Sequence, residues 1–301
     1  MTDTAESGMG IEFPSLAPTS GPRQTTSTVK DALQQATVIL RATADTPRLE
    51  AEVLLGYTLD VSRTALLTHP ERPVARHQLA HYQNAVRRRS AGYPLPYLTG
   101  RVEFYGLTFD VTQEVLIPRP ETETLVTLAL ARRPATIVDV GTGSGCIAVS
   151  LAVHLSEAAL YAIEISPAAL RVAQRNAQRH GVAQRVRTLV GDVLSPRPGP
   201  VDLIVSNPPY VPSGECGLLP ASVRDYEPRL ALDGGPDGLV MVRQLLEQAP
   251  AVLKPGGAML IEIGADQGEA AQHLACTFFP HAAVHVHPDL AGRDRVLEVQ
   301  T

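Results

Sequence analysis

Asn207-Pro208-Pro209-Tyr210 is the stretch of this chain whose residue types bear most directly on chemistry. It follows Val201-Asp202-Leu203-Ile204-Val205, a brief β-branched run preceded by the turn-forming Pro198-Gly199-Pro200, which reads as a buried parallel strand. Asn207 is therefore expected at a strand's carboxyl end, the edge of an open α/β sheet where ligands bind. Proline has no N–H, so Pro208 and Pro209 cannot continue a ladder, and the backbone carbonyls around them stay free to accept hydrogen bonds. A flat group bearing NH2 suits such a place. The Asn207 side-chain oxygen and the Pro208 carbonyl can each take one of its hydrogens. The Tyr210 ring offers a stacking surface, and Pro209 completes the substrate-binding edge. Taken alone, such a tetrapeptide is more often a proline-rich turn with an Asn cap. The upstream sequence reverses that preference.

Ile137-Val138-Asp139-Val140-Gly141-Thr142-Gly143-Ser144-Gly145-Cys146-Ile147-Ala148 reads as a strand, a glycine-rich turn and a helix start. Gly141, Gly143 and Gly145 let the backbone turn sharply and approach a ligand, with Thr142 inside the same loop. Glu164 ends the next strand, about twenty residues beyond Gly145, where a carboxylate can hold both ribose hydroxyls of a nucleoside. NAD and S-adenosylmethionine both satisfy that pairing. The glycines fall as G-x-G-x-G rather than G-x-G-x-x-G, and the Asp139 carboxylate just before the loop repels a pyrophosphate but attracts an ammonium. Both details favour S-adenosylmethionine. Asp192, in Val190-Gly191-Asp192-Val193, is placed to accept from an adenine amino group, although a turn or N-cap role is about as frequent for such an Asp. Ser144 is flanked directly by glycines, so the G-x-S-x-G spacing is absent and a hydrolase is rejected.

The elements that must position these residues follow from composition and periodicity. A chain of 301 residues suggests two units or one domain with an extension, and 44% hydrophobic residues suffice for a core. A net charge of −5 argues against a general nucleic-acid binder. Cys146, Cys216 and Cys276 are scattered, which indicates neither a zinc site nor a disulfide framework and suits a reducing cytoplasm. No secretion signal or membrane-length apolar run is evident, so a soluble cytoplasmic protein is expected. Residues 1–26 are rich in Ser, Thr, Pro and Gly and are expected to form a disordered tail. Residues 27–93 show helical periodicity through Val29, Leu33, Ala36, Val38, Leu40, Leu49, Leu54, Leu55, Leu66, Leu67, Leu79, Tyr82 and Val86, which predicts a small bundle. Its last helix carries Arg87-Arg88-Arg89, most often a solvated face but also able to meet an acidic partner or RNA.

Residues 94–117 switch to alternation around Gly106, predicting a β-hairpin connector. From 118 to 301, strands near 136–140, 159–164, 185–190, 201–205 and 258–263 alternate with helices starting at 146 and spanning 167–180, 238–252 and 267–277. That order implies an α/β domain with a parallel sheet covered on both faces. The closing strands, 283–287 and 295–299, lack an intervening helix, so one is expected to be antiparallel at the sheet edge. His281, His285 and His287 invite a metal reading, but no acidic or Cys partner stands at useful spacing, and no metal is expected. Glu121 and Glu123 form a possible acid pair, for which helix N-terminal charge or a cofactor-loop contact is the more frequent role.

Asp139 to Gly145, Glu164-Ile-Ser-Pro167, Gly191-Asp192 and Asn207 to Tyr210 together resemble the HemK/PrmC protein-(glutamine-N5) methyltransferases, across roughly residues 28 to 299. Asn-Pro-Pro-Tyr is shared with adenine-N6 and other amino-methyltransferases and specifies only an NH2 target. Pro118-Arg-Pro-Glu-Thr-Glu123 discriminates further, being similar to the release-factor enzymes rather than to their relatives that modify ribosomal proteins. Ala231 to Leu239 and Asp289 to Val296 match other family segments, and Glu164 stands where the family more often has Asp. The resemblance implies a Rossmann-like class I S-adenosylmethionine-dependent methyltransferase domain with an N-terminal helical bundle and a β-hairpin connector. It implies methylation of the glutamine in the Gly-Gly-Gln motif of class I peptide-chain release factors, in support of translation termination. Asn207, Pro208 and Tyr210 are then catalytic. Asp139, Gly141, Thr142, Gly143, Gly145, Glu164, Asp192 and Asn207 hold the cofactor, joined by Arg119 and Glu121. The helical domain would recognise the protein substrate, in a monomer with no membrane and no stable nucleic-acid partner. Two other readings make different demands. An amino-methyltransferase of nucleic acid (adenine N6) needs a basic groove or a recognition domain, against which the acidic balance and the small helical domain speak, and a ribosomal-protein glutamine is the other alternative target. A binding module without activity would not need the intact Asn-Pro-Pro-Tyr.

Overall fold

The computed structural model describes residues 27–196 and 199–301, so the expected disordered tail, residues 1–26, lies outside the described residues. The first helix, α1 (Val29–Leu40), opens on a capping box. The Thr28 side chain accepts from Asp31 N, and the Asp31 carboxylate takes the Thr28 N–H. Helices α2 (Pro47–Leu59), α3 (Arg63–Thr68), α4 (Arg76–Ser90) and α5 (Leu95–Thr99) complete the helical region. Its core contains Leu33, Leu40, Leu54, Leu55 and Tyr82, as the periodicity predicts, whereas Val38, Leu49 and Leu67 face solvent. Two glutamates on α2 are buried. Glu50 pairs with Arg89 at 2.6 Å, and Glu52 pairs with Arg48 and Arg63 at 2.6 and 2.8 Å. Arg88 lies over the Tyr93 ring at 3.9 Å, so two members of the arginine triplet are occupied within the chain.

Strands β1 (Arg101–Phe104) and β2 (Leu107–Asp110) form the expected hairpin. Tyr105 and Gly106 turn it with φ of 50° and 71°, both positive as a two-residue hairpin turn requires. The hairpin is fixed to the larger unit rather than free. Phe104 and Phe109 enter the main core. Buried Asn176 accepts from Asp110 N at 2.7 Å and donates to the carbonyls of Asp110 and Ser144 at 3.0 and 2.8 Å. One side chain thus ties the hairpin to the glycine loop.

After a 3₁₀ turn at Pro120–Thr122 come α6 (Glu123–Arg132), β3 (Thr136–Val140), α7 (Cys146–His154), β4 (Ala159–Glu164), α8 (Pro167–Arg179), β5 (Val186–Val190), β6 (Val201–Ser206), the short α9 (Ala221–Arg224) and α10 (Val240–Gln248). They are followed by β7 (Leu253–Glu262), α11 (Gly268–Phe278), β8 (Ala283–Pro288) and β9 (Asp294–Gln300). The seven-stranded sheet has the order β5-β4-β3-β6-β7-β9-β8. β3 to β7 are parallel, and apolar clusters lie on both faces. The antiparallel strand differs in place from the expectation. It is β9, one position in from the edge, while β8 takes the edge. The reason is composition: β9 brings buried Val296, Leu297 and Val299, whereas the intermediate and exposed positions of β8 include His285 and His287. α10 stops at Gln248 instead of near 252, because Pro250 turns the chain into a 3₁₀ segment at Ala249–Ala251. The chain thus has the expected α/β architecture, a mostly parallel seven-stranded sheet covered on both faces, with a helical region before it.

Candidate active site

The glycine loop joins β3 to α7 at the carboxyl edge of the sheet, with φ of 71°, 55° and 80° at Gly141, Gly143 and Gly145. Asp139, the fourth residue of β3, is fully buried. Its Oδ2 accepts from the Thr142 hydroxyl at 2.6 Å and from Ala148 N in the first turn of α7 at 3.2 Å. Its Oδ1 has no hydrogen-bond partner among the described residues. Burial pushes the carboxyl up to about 7, and the nearby Glu164 charge acts in the same direction. Glu164 ends β4, where Oε2 accepts from Gly143 N and Oε1 from Ser166 N, both at 2.9 Å. Its carboxylate therefore fixes the loop to the neighbouring strand, and each oxygen retains lone-pair capacity.

A cavity of about 230 Å³ lies beside this loop, walled by Gly141, Glu164, Asp192, Asn207 and Pro209 among others. Asp192 is exposed. The turn it opens is closed by its backbone, with Ser195 Oγ accepting from Asp192 N at 3.2 Å and Ser195 N donating to the Asp192 carbonyl at 2.9 Å. Its carboxylate bonds to no described residue, so neither a cap nor the turn uses it. Ile165, Met241 and Leu230 add apolar surface that the sequence reading missed. Ile165 carried a signal, since an apolar residue directly after the strand-ending Glu164 is left 48% exposed.

Gly145 shows how tightly the loop is built. A Cβ there would sit 3.0 and 3.1 Å from Ala173 Cβ and Cα on α8, in addition to the positive φ. Gly145→Ala is expected to cost about 2–4 kcal/mol in thermal unfolding from the backbone and overpacking terms. An unchanged unfolding midpoint would contradict this packing.

Asn207 follows β6, and its Nδ2 donates to Thr122 Oγ1 at 3.0 Å. Thr122 is buried at the end of the 3₁₀ turn within Pro118-Arg-Pro-Glu-Thr-Glu123, so the motif singled out in the sequence contacts the Asn through its threonine. The Pro208 carbonyl accepts from no described residue. Tyr210 is half-buried, and its carbonyl accepts from Gln267 Nε2 at 3.0 Å. A Cβ on Gly234 would lie 2.6 Å from the Pro209 oxygen, and one on Gly238 would lie 2.3 Å from the Tyr210 oxygen. The segment after Asp233 is therefore packed directly against the tetrapeptide backbone. Behind it, Glu262 is buried at the end of β7, and burial pushes its carboxyl up to about 7 against the opposing effects of Thr122, Arg295 and Asn207.

Arg119 and Glu121 are not on the cavity wall, although Pro118 and Thr122 beside them are. Arg119 pairs with buried Glu227, which also accepts from Ile117 N at 3.1 Å, and Glu121 is exposed. Glu123 accepts from Tyr105 N at 2.8 Å, in the hairpin turn rather than at the cavity. His287 does have an acidic neighbour, Glu298 on β9, which also pairs with Arg132. Among the described residues no group of three or more His, Cys, Asp or Glu could hold a metal ion.

One cavity edge is thus a nucleoside-sized cradle of loop backbone and two carboxylates. The adjoining edge carries the Asn207 side-chain amide and Pro209. Residues 31–100 match the family model of the PrmC N-terminal domain, and residues 120–218 match that of the methyltransferase small domain. A release factor glutamine methyltransferase of Moorella thermoacetica is 50% identical over 274 residues, which span 89% of this chain and 96% of the relative. Another from Chlorobaculum tepidum is 42% identical over 267 residues, 84% of this chain and 90% of the relative. Among solved structures, a methyltransferase from Pyrococcus furiosus aligns with a TM-score of 0.51 at 18% identity, covering 73% of this chain and 98% of that one. That last likeness concerns the fold.

Proposed function

This chain belongs to the release factor glutamine methyltransferase family, and we propose that it methylates N5 of the glutamine in the Gly-Gly-Gln motif of class I peptide-chain release factors, with S-adenosylmethionine as donor. The observation that carries the reading is the placement of Asn207 and Pro209 on the wall of a glycine-lined cavity, with the buried Pro208, whose carbonyl accepts from no described residue, between them. The residues present fit the cofactor. The cradle has room for it at Gly141 and Gly143, where no atom other than Met241 Cε and the Gly141 oxygen comes near a notional Cβ. Asp139 Oδ1 is buried without a partner among the described residues, as a carboxylate awaiting a cation would be. Glu164 would hold the ribose hydroxyls through its remaining lone pairs, Asp192 the adenine amino group, and Asp139 would attract the ammonium. When bound, the cofactor supplies an electrophilic sulfonium methyl.

An amide nitrogen is a poor nucleophile because its lone pair is delocalised into the carbonyl. In this reading Asn207 Oδ1 and the Pro208 carbonyl each take one amide hydrogen, and Tyr210 packs on the amide plane. The chain then acts by orientation and polarisation, and the surplus proton leaves to solvent. Orientation can supply up to about 7–11 kcal/mol in well-aligned reactions, so no strong base is needed. The same proposal assigns residues 27–93 to substrate recognition, 94–117 to the connector and 118–301 to methyl transfer, in a cytoplasmic monomer. Among the described residues no helix is long and apolar enough to cross a membrane.

Intact-mass spectrometry of a purified release factor incubated with the protein and S-adenosylmethionine, beside DNA and RNA controls, tests the proposal. One added methyl mapped to the Gly-Gly-Gln glutamine is expected. Methyl on nucleic acid alone would transfer the assignment to an adenine-N6 type of reaction, and no transfer to any substrate would leave only a binding module.

A further inference from the structure

Glu262 ends β7 as Asn207 follows β6. Ser206 pairs with Ile261 in the parallel register, so the next residue of each strand reaches the same point of the sheet edge. The Glu262 carboxyl is 1% exposed, neighbours the Thr122 hydroxyl and the Asn207 amide, and has no hydrogen-bond partner at Oε2 among the described residues. Packing gives no reason for a carboxyl here, because Met259, Leu260, Ile261 and Ile263 beside it are apolar and fully buried. A buried carboxyl with an unpartnered oxygen is costly and calls for an explanation.

Asn207 supplies one. The oxygen and nitrogen of a carboxamide are nearly the same size, so packing alone does not decide which faces a ligand. The Thr122 hydroxyl does not decide it either, because a hydroxyl both donates and accepts, and the 3.0 Å contact suits either orientation. An ionised carboxylate only accepts. Set against the same amide, it selects the orientation in which the NH2 points inward and the oxygen points to the cavity.

We propose that Glu262 is a positioning residue: together with Thr122 it takes the Asn207 NH2 group and so holds the Asn207 oxygen toward the substrate amide. This rests on the methyl-transfer reading above. Protonation would replace the acceptor by a hydroxyl donor and release the amide to turn. Burial places that event near neutral pH. The charged groups around the carboxyl act in opposite senses, Arg295 on β9 favouring the ionised form and Glu121 on the 3₁₀ turn opposing it. The Tyr210 phenol and Cys146 thiol, both raised by burial, remain neutral in this range.

The test compares wild type with Glu262→Gln, an isostere that both donates and accepts. Expected are a fall in kcat of about tenfold or more at pH 8, unchanged S-adenosylmethionine affinity by calorimetry, loss of the acid limb of the kcat profile near neutral pH, and a higher unfolding midpoint at pH 8. A merely structural role would lower the midpoint and weaken cofactor binding together with kcat, and that outcome overturns the inference. So does full kcat in the variant, or a wild-type profile with no acid limb, which needs no variant to measure. A wild-type protein that transfers no methyl to the release factor overturns the functional reading and this inference with it. An active wild type with an indifferent Glu262→Gln overturns the inference alone.

Discussion

Asn207→Ala is expected to lower kcat by about 10²–10³-fold, the scale seen when one preorganised hydrogen-bonding group is removed from a site. The affinity for S-adenosylmethionine, measured by calorimetry without substrate, should change far less. The asymmetry follows from position. Asn207 is one of many residues on the cavity wall, and the glycine loop, Glu164 and Asp192 remain after the truncation. In the proposed arrangement the amide acceptor, in contrast, has no substitute, because Thr122 is buried and the Pro208 carbonyl would take only one of the two substrate hydrogens. A group that aligns the nucleophile contributes mainly in the transition state, so its loss should appear in kcat rather than in binding. Equal losses in kcat and cofactor affinity would instead make Asn207 a structural wall of the cavity. Asn207→Asp is a sharper control. It keeps an oxygen but sets a second carboxyl beside Glu262, and like charges at that range are unfavourable in a buried site.

The strand ends, the glycine loop and the tetrapeptide were legible in the sequence because each depends on local rules. β-branched runs mark strands, glycine marks positive φ, and proline ends a ladder. Those rules also bring Asp139, Glu164, Asp192 and Asn207 to one sheet edge, as the structure has them. What was not legible depends on pairing between distant segments. Arg119 entered the expected cofactor set through the resemblance, not through any local rule. The partner that takes it, Glu227, lies 108 residues away. Asn176 sits in a helix with no sequence sign of its role, yet it clamps the hairpin and the Ser144 carbonyl. Glu262 was hidden for the same reason. It closes an apolar strand, and only the register of β7 against β6 brings it to Asn207. The edge order of β8 and β9 likewise follows from which strand carries more apolar surface to bury, a comparison that periodicity within each strand does not make.

Asp139→Asn should separate the stability of the site from its affinity for a cation. Both acceptor bonds of Asp139 go to Oδ2, so an Asn placing its oxygen there keeps Thr142 and Ala148, and its NH2 occupies the position of the unpartnered Oδ1. Packing is thus little changed while the charge is removed. In the folded protein the Asp139 carboxyl lies at about 7, above its ordinary value of 3.8. A raised carboxyl stabilises the fold fully below the unfolded pKa, and that contribution is lost as pH rises through the folded value. Wild type should therefore lose stability relative to Asp139→Asn between about pH 4 and pH 8, by an amount on the order of 4 kcal/mol for a shift of this size. Thermal unfolding across that range reads the difference directly. Bound cofactor should reverse part of it, because an ammonium beside the ionised carboxylate compensates the charge that burial penalises. S-adenosylmethionine is expected to raise the wild-type midpoint more at pH 8 than at pH 5, and to raise that of Asp139→Asn equally at both. A cofactor-induced shift in wild type that is the same at both pH values would remove Asp139 as the partner of the ammonium, leaving it as a buried cap on the first turn of α7.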